Sequence, residues 1–142
     1  MYKNILLSID LEQESSWKKT LPMAKDMCQL SGGTLHILAV APEFHMSIVS
    51  QYFPENYEQE VGQKMLERLK ALVQEKIDAA IPVQHIVGQG TVYEVILQTA
   101  TKIKADLIVM ASHRPELKDY LLGPNAARVV RHANCSVLVV RD

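Results

Sequence analysis

No stretch of this sequence approaches the roughly 20 consecutive apolar residues needed to cross a bilayer, so a helical membrane span is not expected. The opening Met1-Tyr2-Lys3-Asn4 passes straight into a short apolar run, and a secretory leader is not expected either. An excess of one charge is missing: 15 Lys and Arg stand against 16 Asp and Glu, for a formal net charge of -1. That excludes a nucleic-acid binder driven by bulk positive charge. Cysteine is scarce. Cys28 and Cys135 lie far apart and in no C-x-x-C pair, so a disulfide framework is not expected and a cytoplasmic location is. Both read as small buried hydrophobes. The pattern G-x-x-x-x-G-K-[ST] is absent, which excludes a phosphate loop of that type. No nucleophile stands with a legible base and orienting acid, and Ser112 beside His113 is adjacency only. His132 and Cys135 are spaced i, i+3 without further ligands, so no metal site is assigned.

What the sequence does have is alternation. With 142 residues and 48% hydrophobic content, one domain over 1–142 with a real core is expected. Asn4 to Ile9 is apolar on both faces, as a central parallel strand requires. Trp17, Leu21, Ala24 and Cys28 repeat with helical spacing up to Ser31-Gly32-Gly33. Pro22 implies that this helix bends or that its first turn is separate. Thr34 to Val40 is a second strand, ended by Pro42. Residues 43–56 have no clear period but hold Phe44, Phe53 and Tyr52, which reads as a lid, a contact surface or a loop folded on its own core. A long amphipathic helix is predicted from Tyr57 to Ala80, and a third strand over Val83 to Val87. Gly88-Gln89-Gly90 then turns into a helix with Thr91 and Glu94 spaced as a capping box and Val92, Ile96, Thr99 and Ile103 facing inward. Leu107 to Met110, a helix from Pro124, and Val137 to Val140 complete the tally.

Nine elements in strand-helix alternation predict an α/β fold with a parallel sheet covered on both faces. Ligands of such sheets sit where strand C-ends meet helix N-termini. The crevice should therefore gather Asp10, Val40 to Pro42, Gly88 to Gly90, Ala111 to Arg114 and Gly123 to Ala126. Gly123-Pro124-Asn125 is a helix start whose unpaired N–H groups favour an anion. Asp10 could accept hydrogen bonds from a ribose hydroxyl or a base amine, hold a metal through water, or cap the following helix. His113 and Arg114 stand at the corner facing that crevice, where a cation would help hold a phosphate chain; the alternative is a solvent-facing loop pair. Gly88-x-Gly90 lacks the third glycine of a dinucleotide fingerprint, because Tyr93 stands there, and reads as a tight turn.

The runs ILLSID, LHILAV, DLIVMASHRP and LLGPNAARVVRHANCSVLVVR resemble the bacterial universal stress proteins, nearest their small single-domain F/G-like nucleotide-binding branch. That resemblance implies a Rossmann-like five-stranded sheet of order 3-2-1-4-5, akin to the adenine nucleotide alpha hydrolases. It also implies a homodimer through the last strand and, in one class, ATP with Mg in the crevice. The motif of that class is Gly-x2-Gly-x9-Gly-(Ser/Thr). Here Ala111 and Arg114 fill the two early glycine positions, and Gly123 is one residue closer than the motif asks. Pro124 replaces the Ser or Thr, so two phosphate donors are missing. The implied nucleotide contacts are Ser8, Asp10, Val40, Met110, Ala111, His113, Arg114, Gly123, Asn125 and Ala126. Asp10 and Val40 would face the nucleoside. The expectation is a cytoplasmic stress-response regulator, with at most slow ATP hydrolysis and a regulatory protein partner. A protein-interaction module with an empty crevice is the alternative, and the same scaffold also serves nucleotidyl-transfer and hydrolytic enzymes.

Overall fold

The computed structural model describes residues 2–41, 57–112 and 123–141. The aromatic 43–56 stretch, Pro42, His113 and Arg114 lie outside the described residues. In chain order the elements are β1 (Asn4–Ile9), a 3-10 turn (Glu14–Ser16), α1 (Thr20–Ser31), β2 (Thr34–Ala41) and α2 (Tyr57–Lys76). Then follow β3 (Val83–Gln89), α3 (Val92–Ile103), β4 (Leu107–Ala111), α4 (Pro124–His132) and β5 (Ser136–Val140). The five strands form one sheet of order β3-β2-β1-β4-β5, and every pairing is parallel.

β1 sits at the centre because nearly all its side chains can be buried, which only a strand covered on both faces allows. Its alternate residues serve two cores. Ile5, Leu7 and Ile9 join Leu21, Ala24 and Cys28 of α1 and Leu69 and Val73 of α2 on one face. Leu6 joins Leu38 and Ile108 beneath Val95, Ile96 and Ala100 of α3 and Ala126 and Val129 of α4 on the other. Each such Leu or Ile, wholly removed from water, contributes about 1.5–3 kcal/mol. The start of β1 is held by Asp106, whose carboxylate accepts the N–H groups of Lys3 (2.8 Å) and Asn4 (3.1 Å). Gly33 passes so close to this segment that a Cβ there would lie 2.6 Å from the Tyr2 carbonyl oxygen.

Several expectations are corrected. Trp17 belongs to no α-helix: it caps the 3-10 turn, and α1 begins at Thr20, with Pro22 in its first turn. The α2 helix stops at Lys76, short of Ala80. Asp78 ends it, accepting the N–H of Ala80 on its carboxylate (3.0 Å) and that of Ile81 on its carbonyl (3.1 Å), as Asp does in turns. β3 runs on through Gly88 to Gln89, and only Gly90, at φ 131°, turns the chain. Val95 of α3 presses on Gly88 where a side chain would be. The buried face of α3 is centred on Val95, Ile96 and Ala100, with Thr99 at its margin. Cys135 is only half-buried, unlike Cys28.

Candidate functional site

Parallel strands end on the same side. β1, β2 and β4 deliver Ser8 to Asp10, Val40 and Met110 to Ala111 to one edge of the sheet, where they surround a cleft of about 340 Å³. The chain leaving β1 forms one lip. There the Asp10 carboxylate accepts the Glu12 N–H (2.9 Å), and the Ser16 hydroxyl accepts the Asp10 N–H (2.8 Å). The Ser16 O–H in turn faces the carbonyls of Asp10 (2.9 Å) and Gln13 (2.7 Å). Arg68 of α2 braces this lip through the Glu12 carboxylate and the Leu11 carbonyl (3.4 Å). Both partners of that ion pair are exposed, and such pairs contribute at most about 1 kcal/mol. The turn's own hydrogen bonds therefore carry most of its order.

The opposite wall is the start of α4. Gly123 is the N-cap, Pro124 takes the first helical position, and the Ala127 N–H returns to the Gly123 carbonyl (3.0 Å). Pro124 has no N–H, so the orphan amides of this first turn are those of Asn125 and Ala126. Both residues line the cleft. The helix dipole adds partial positive charge at that point. Ser112 closes the wall: its N–H (3.0 Å) and hydroxyl (3.4 Å) both donate to the Val140 carbonyl at the tip of β5.

The Asn125 side chain has a second duty. Its Oδ1 accepts the N–H of Tyr93, in the first turn of α3, at 3.2 Å. An amide N–H can only donate, which fixes the carboxamide with its oxygen toward α3. The predicted Thr91–Glu94 capping box does not form: Thr91 is the N-cap but makes no side-chain cap bond. Asn125 caps α3 from a neighbouring helix instead, and Arg128 of α4 stacks over the Tyr93 ring at 4.8 Å. The two helix starts are thus locked together beside the cleft.

Of the residues predicted for the site, Ser8, Asp10, Val40, Met110, Ala111, Gly123, Asn125 and Ala126 all line this one cleft. His113 and Arg114 are outside the described residues. Gly88 to Gly90 do not line it, because β3 carries that turn to the far side of β2; Val92 does. Asp10 caps a local turn, not a helix. Gln13, Ser15 and Ser16 were not predicted, yet they line the cleft. Small polar residues after a strand carry no periodic signal, and only their turn-forming character marks them. Asp10 is the one ionisable side chain among the described lining residues. The cleft thus has a carboxylate lip facing an amide wall, suited to a molecule with hydroxyl or amino groups at one end and an anion at the other.

The His132 and Cys135 pair lies apart from this cleft, beside a smaller cavity. Burial, and then the Asp106 carboxylate, push the Cys135 thiol up, which disfavours the thiolate a metal would need. Among the described residues no three His, Cys, Asp or Glu side chains converge.

Comparison with known proteins gives a consistent result. A sequence model of the universal stress protein family matches residues 1–141. Universal stress protein G of Escherichia coli O157:H7 is 32% identical, covering 99% of this chain and 100% of its own. Universal stress protein A homolog 1 of Coxiella burnetii is 30% identical, covering 98% and 96%. Among solved structures, hypothetical protein MJ0577 superposes with a TM-score of 0.77 at 28% identity, covering 100% of this chain and 97% of that one. A universal stress protein in complex with cAMP shares the fold, with a TM-score of 0.62 at 22% identity over 99% and 97%. The Rossmann-like sheet, its strand order and a match along almost the whole sequence agree: this chain belongs to the universal stress protein family.

Proposed function

We propose that the chain is a nucleotide-binding regulator that holds ATP or a related adenine nucleotide in the cleft at the strand ends. The observation that carries this reading is the pair of orphan amides at Asn125 and Ala126, set across one cavity from the Asp10 carboxylate. The amides and the helix dipole receive phosphoryl oxygens. Asp10, whose second carboxylate oxygen is unused by the turn, accepts from ribose hydroxyls or a base amine. Val40 packs on the nucleoside. A magnesium ion fits beside a triphosphate, since Mg²⁺ is commonly held by one or two carboxylates plus substrate phosphates. It would neutralise phosphate charge. His113 and Arg114 complete the proposed phosphate contacts. A universal stress protein of the same fold has been solved with cAMP, which supports a nucleotide as the ligand class.

The protein acts in this reading as a cytoplasmic homodimer. β5 is an edge strand with Val137, Leu138 and Val139 half-buried, and pairing with a second copy would cover it. In this reading turnover is slow or absent and the role is sensing. Thermal unfolding with increasing Mg-ATP tests the site. Ligand at 100 times its Kd adds about 2.7 kcal/mol of stability. No shift at millimolar adenine nucleotide would reject the reading.

Pro124 favours a second reading, an interaction module whose cleft stays empty. It removes one N–H and offers no hydroxyl at the anion end. That reading predicts a parent protein that binds no nucleotide and a Pro124→Ser variant that does. Nucleotide carried through purification by the parent would dismiss it.

A further inference from the structure

The floor of the cleft contains a polar side chain that the fold does not use. Ser8 lies within β1 among leucines and isoleucines and is 9% exposed. The hydroxyls of Ser16 and Ser112 are bonded to the chain itself. That of Ser8 makes no hydrogen bond among the described residues, and it lines the cleft. Among the described residues only the Trp17 indole nitrogen is both shut from water and unpartnered, so the Ser8 hydroxyl opens onto the cleft, and strand centres rarely carry a hydroxyl without reason.

Its placement narrows what it could meet. β1 lies between β2 and β4, and Ser8 is paired in register with Leu38. Strand alternation puts Ser8 on the same sheet face as Leu6, which packs with Met110 and Ala126. Across the floor the order is therefore Val40 on β2, Ser8 on β1, Met110 on β4, with the first turn of α4 above. A nucleotide lying across the strands, nucleoside over Val40 and anion on Asn125 and Ala126, carries its sugar–phosphate junction over Ser8. Pro124, at the helix start, is exposed and supplies no hydroxyl. We infer that the Ser8 hydroxyl donates to the phosphoryl group nearest the sugar, supplying from the sheet the hydroxyl donor that position 124 lacks. This assignment rests on the nucleotide reading of the cleft.

The experiment is calorimetric titration of adenosine and adenosine monophosphate into the parent, Ser8→Ala and Ser8→Ala/Pro124→Ser proteins. Losing one hydrogen bond to a charged group weakens binding about ten-fold. Ser8→Ala should therefore lose about ten-fold for the monophosphate and keep the parent's affinity for adenosine. The double variant should recover part of the monophosphate loss. The thermal midpoint of unliganded Ser8→Ala should stay near that of the parent, because no hydrogen bond among the described residues is removed. Unchanged monophosphate affinity, or an equal loss for adenosine, overturns the assignment while leaving the nucleotide reading in place. A parent that binds neither compound overturns both.

Discussion

Asn125 connects stability and binding, and two substitutions separate them. Its Oδ1 satisfies an orphan N–H at the start of α3, 3.2 Å away, while its backbone N–H belongs to the proposed anion wall. Asn125→Ala removes the acceptor and leaves the backbone amide. Loss of a helix-capping side chain costs about 1 kcal/mol. For a chain of this length that lowers the thermal midpoint by about 3–4 °C. Asn125→Asp keeps an oxygen within reach of Tyr93 and adds negative charge at two helix N-termini, each favourable by about 0.3–1 kcal/mol. Its stability should equal or exceed the parent's. The same carboxylate repels an arriving phosphoryl group, so nucleotide binding should fall far more in Asn125→Asp than in Asn125→Ala. Urea unfolding gives the stability order and calorimetric titration the affinity order, and the two orders should run opposite ways. An Asn125→Asp protein less stable than Asn125→Ala would refute the cap. An Asn125→Asp protein that binds nucleotide like the parent would refute the anion wall.

Two further perturbations address the scaffold. Gly33→Ala places a methyl group 2.6 Å from the Tyr2 oxygen and 2.8 Å from the Lys3 oxygen, both backbone atoms that cannot swing aside. A cost of about 1–3 kcal/mol, read as a lower urea midpoint, is expected, and an unchanged midpoint would contradict the close approach. Burial, then Lys70, hold the His85 imidazole below its ordinary 6.5, so the stability tied to its neutral form is present above pH 6.5 and is lost as pH falls below it. Burial raises the Cys28 thiol above its ordinary 9.0, and that contribution is present below pH 9 and lost as pH rises through the raised value. Urea midpoints should thus be flat between about pH 7 and 9 and decline on both sides; His85→Gln should flatten the acid limb, and an unaltered limb would reject that cause.

The sheet was legible because burial on both faces leaves uninterrupted apolar runs, and β1, β2, β4 and β5 begin and end within a residue of those runs. Strand order came from the family resemblance, since each strand alone is compatible with several neighbours. Gly123-Pro124 marked α4 because its signal is local: both residues act through their own backbones. The capping of α3 was misread for the converse reason. Thr91 and Glu94 have the local spacing, but Thr91 makes no side-chain cap bond, and the N–H of Tyr93 between them goes to Asn125, 32 residues away in sequence. Only the packing of α3 against α4 reveals such a partner. The Gln13–Ser16 lip was missed because it is held by backbone and hydroxyl bonds that leave no hydrophobic period.

Trp17 is the sole tryptophan of the sequence. It follows directly on Ser15 and Ser16, which border the cleft, and its indole N–H is shut away from water. Its backbone N–H is tied to the Glu14 carbonyl (3.0 Å), so the ring travels with the lip. The molecule consequently carries a built-in optical gauge. Ultraviolet emission from this single indole, with no dye attached, should track any settling or loosening of the lip as a guest enters or leaves.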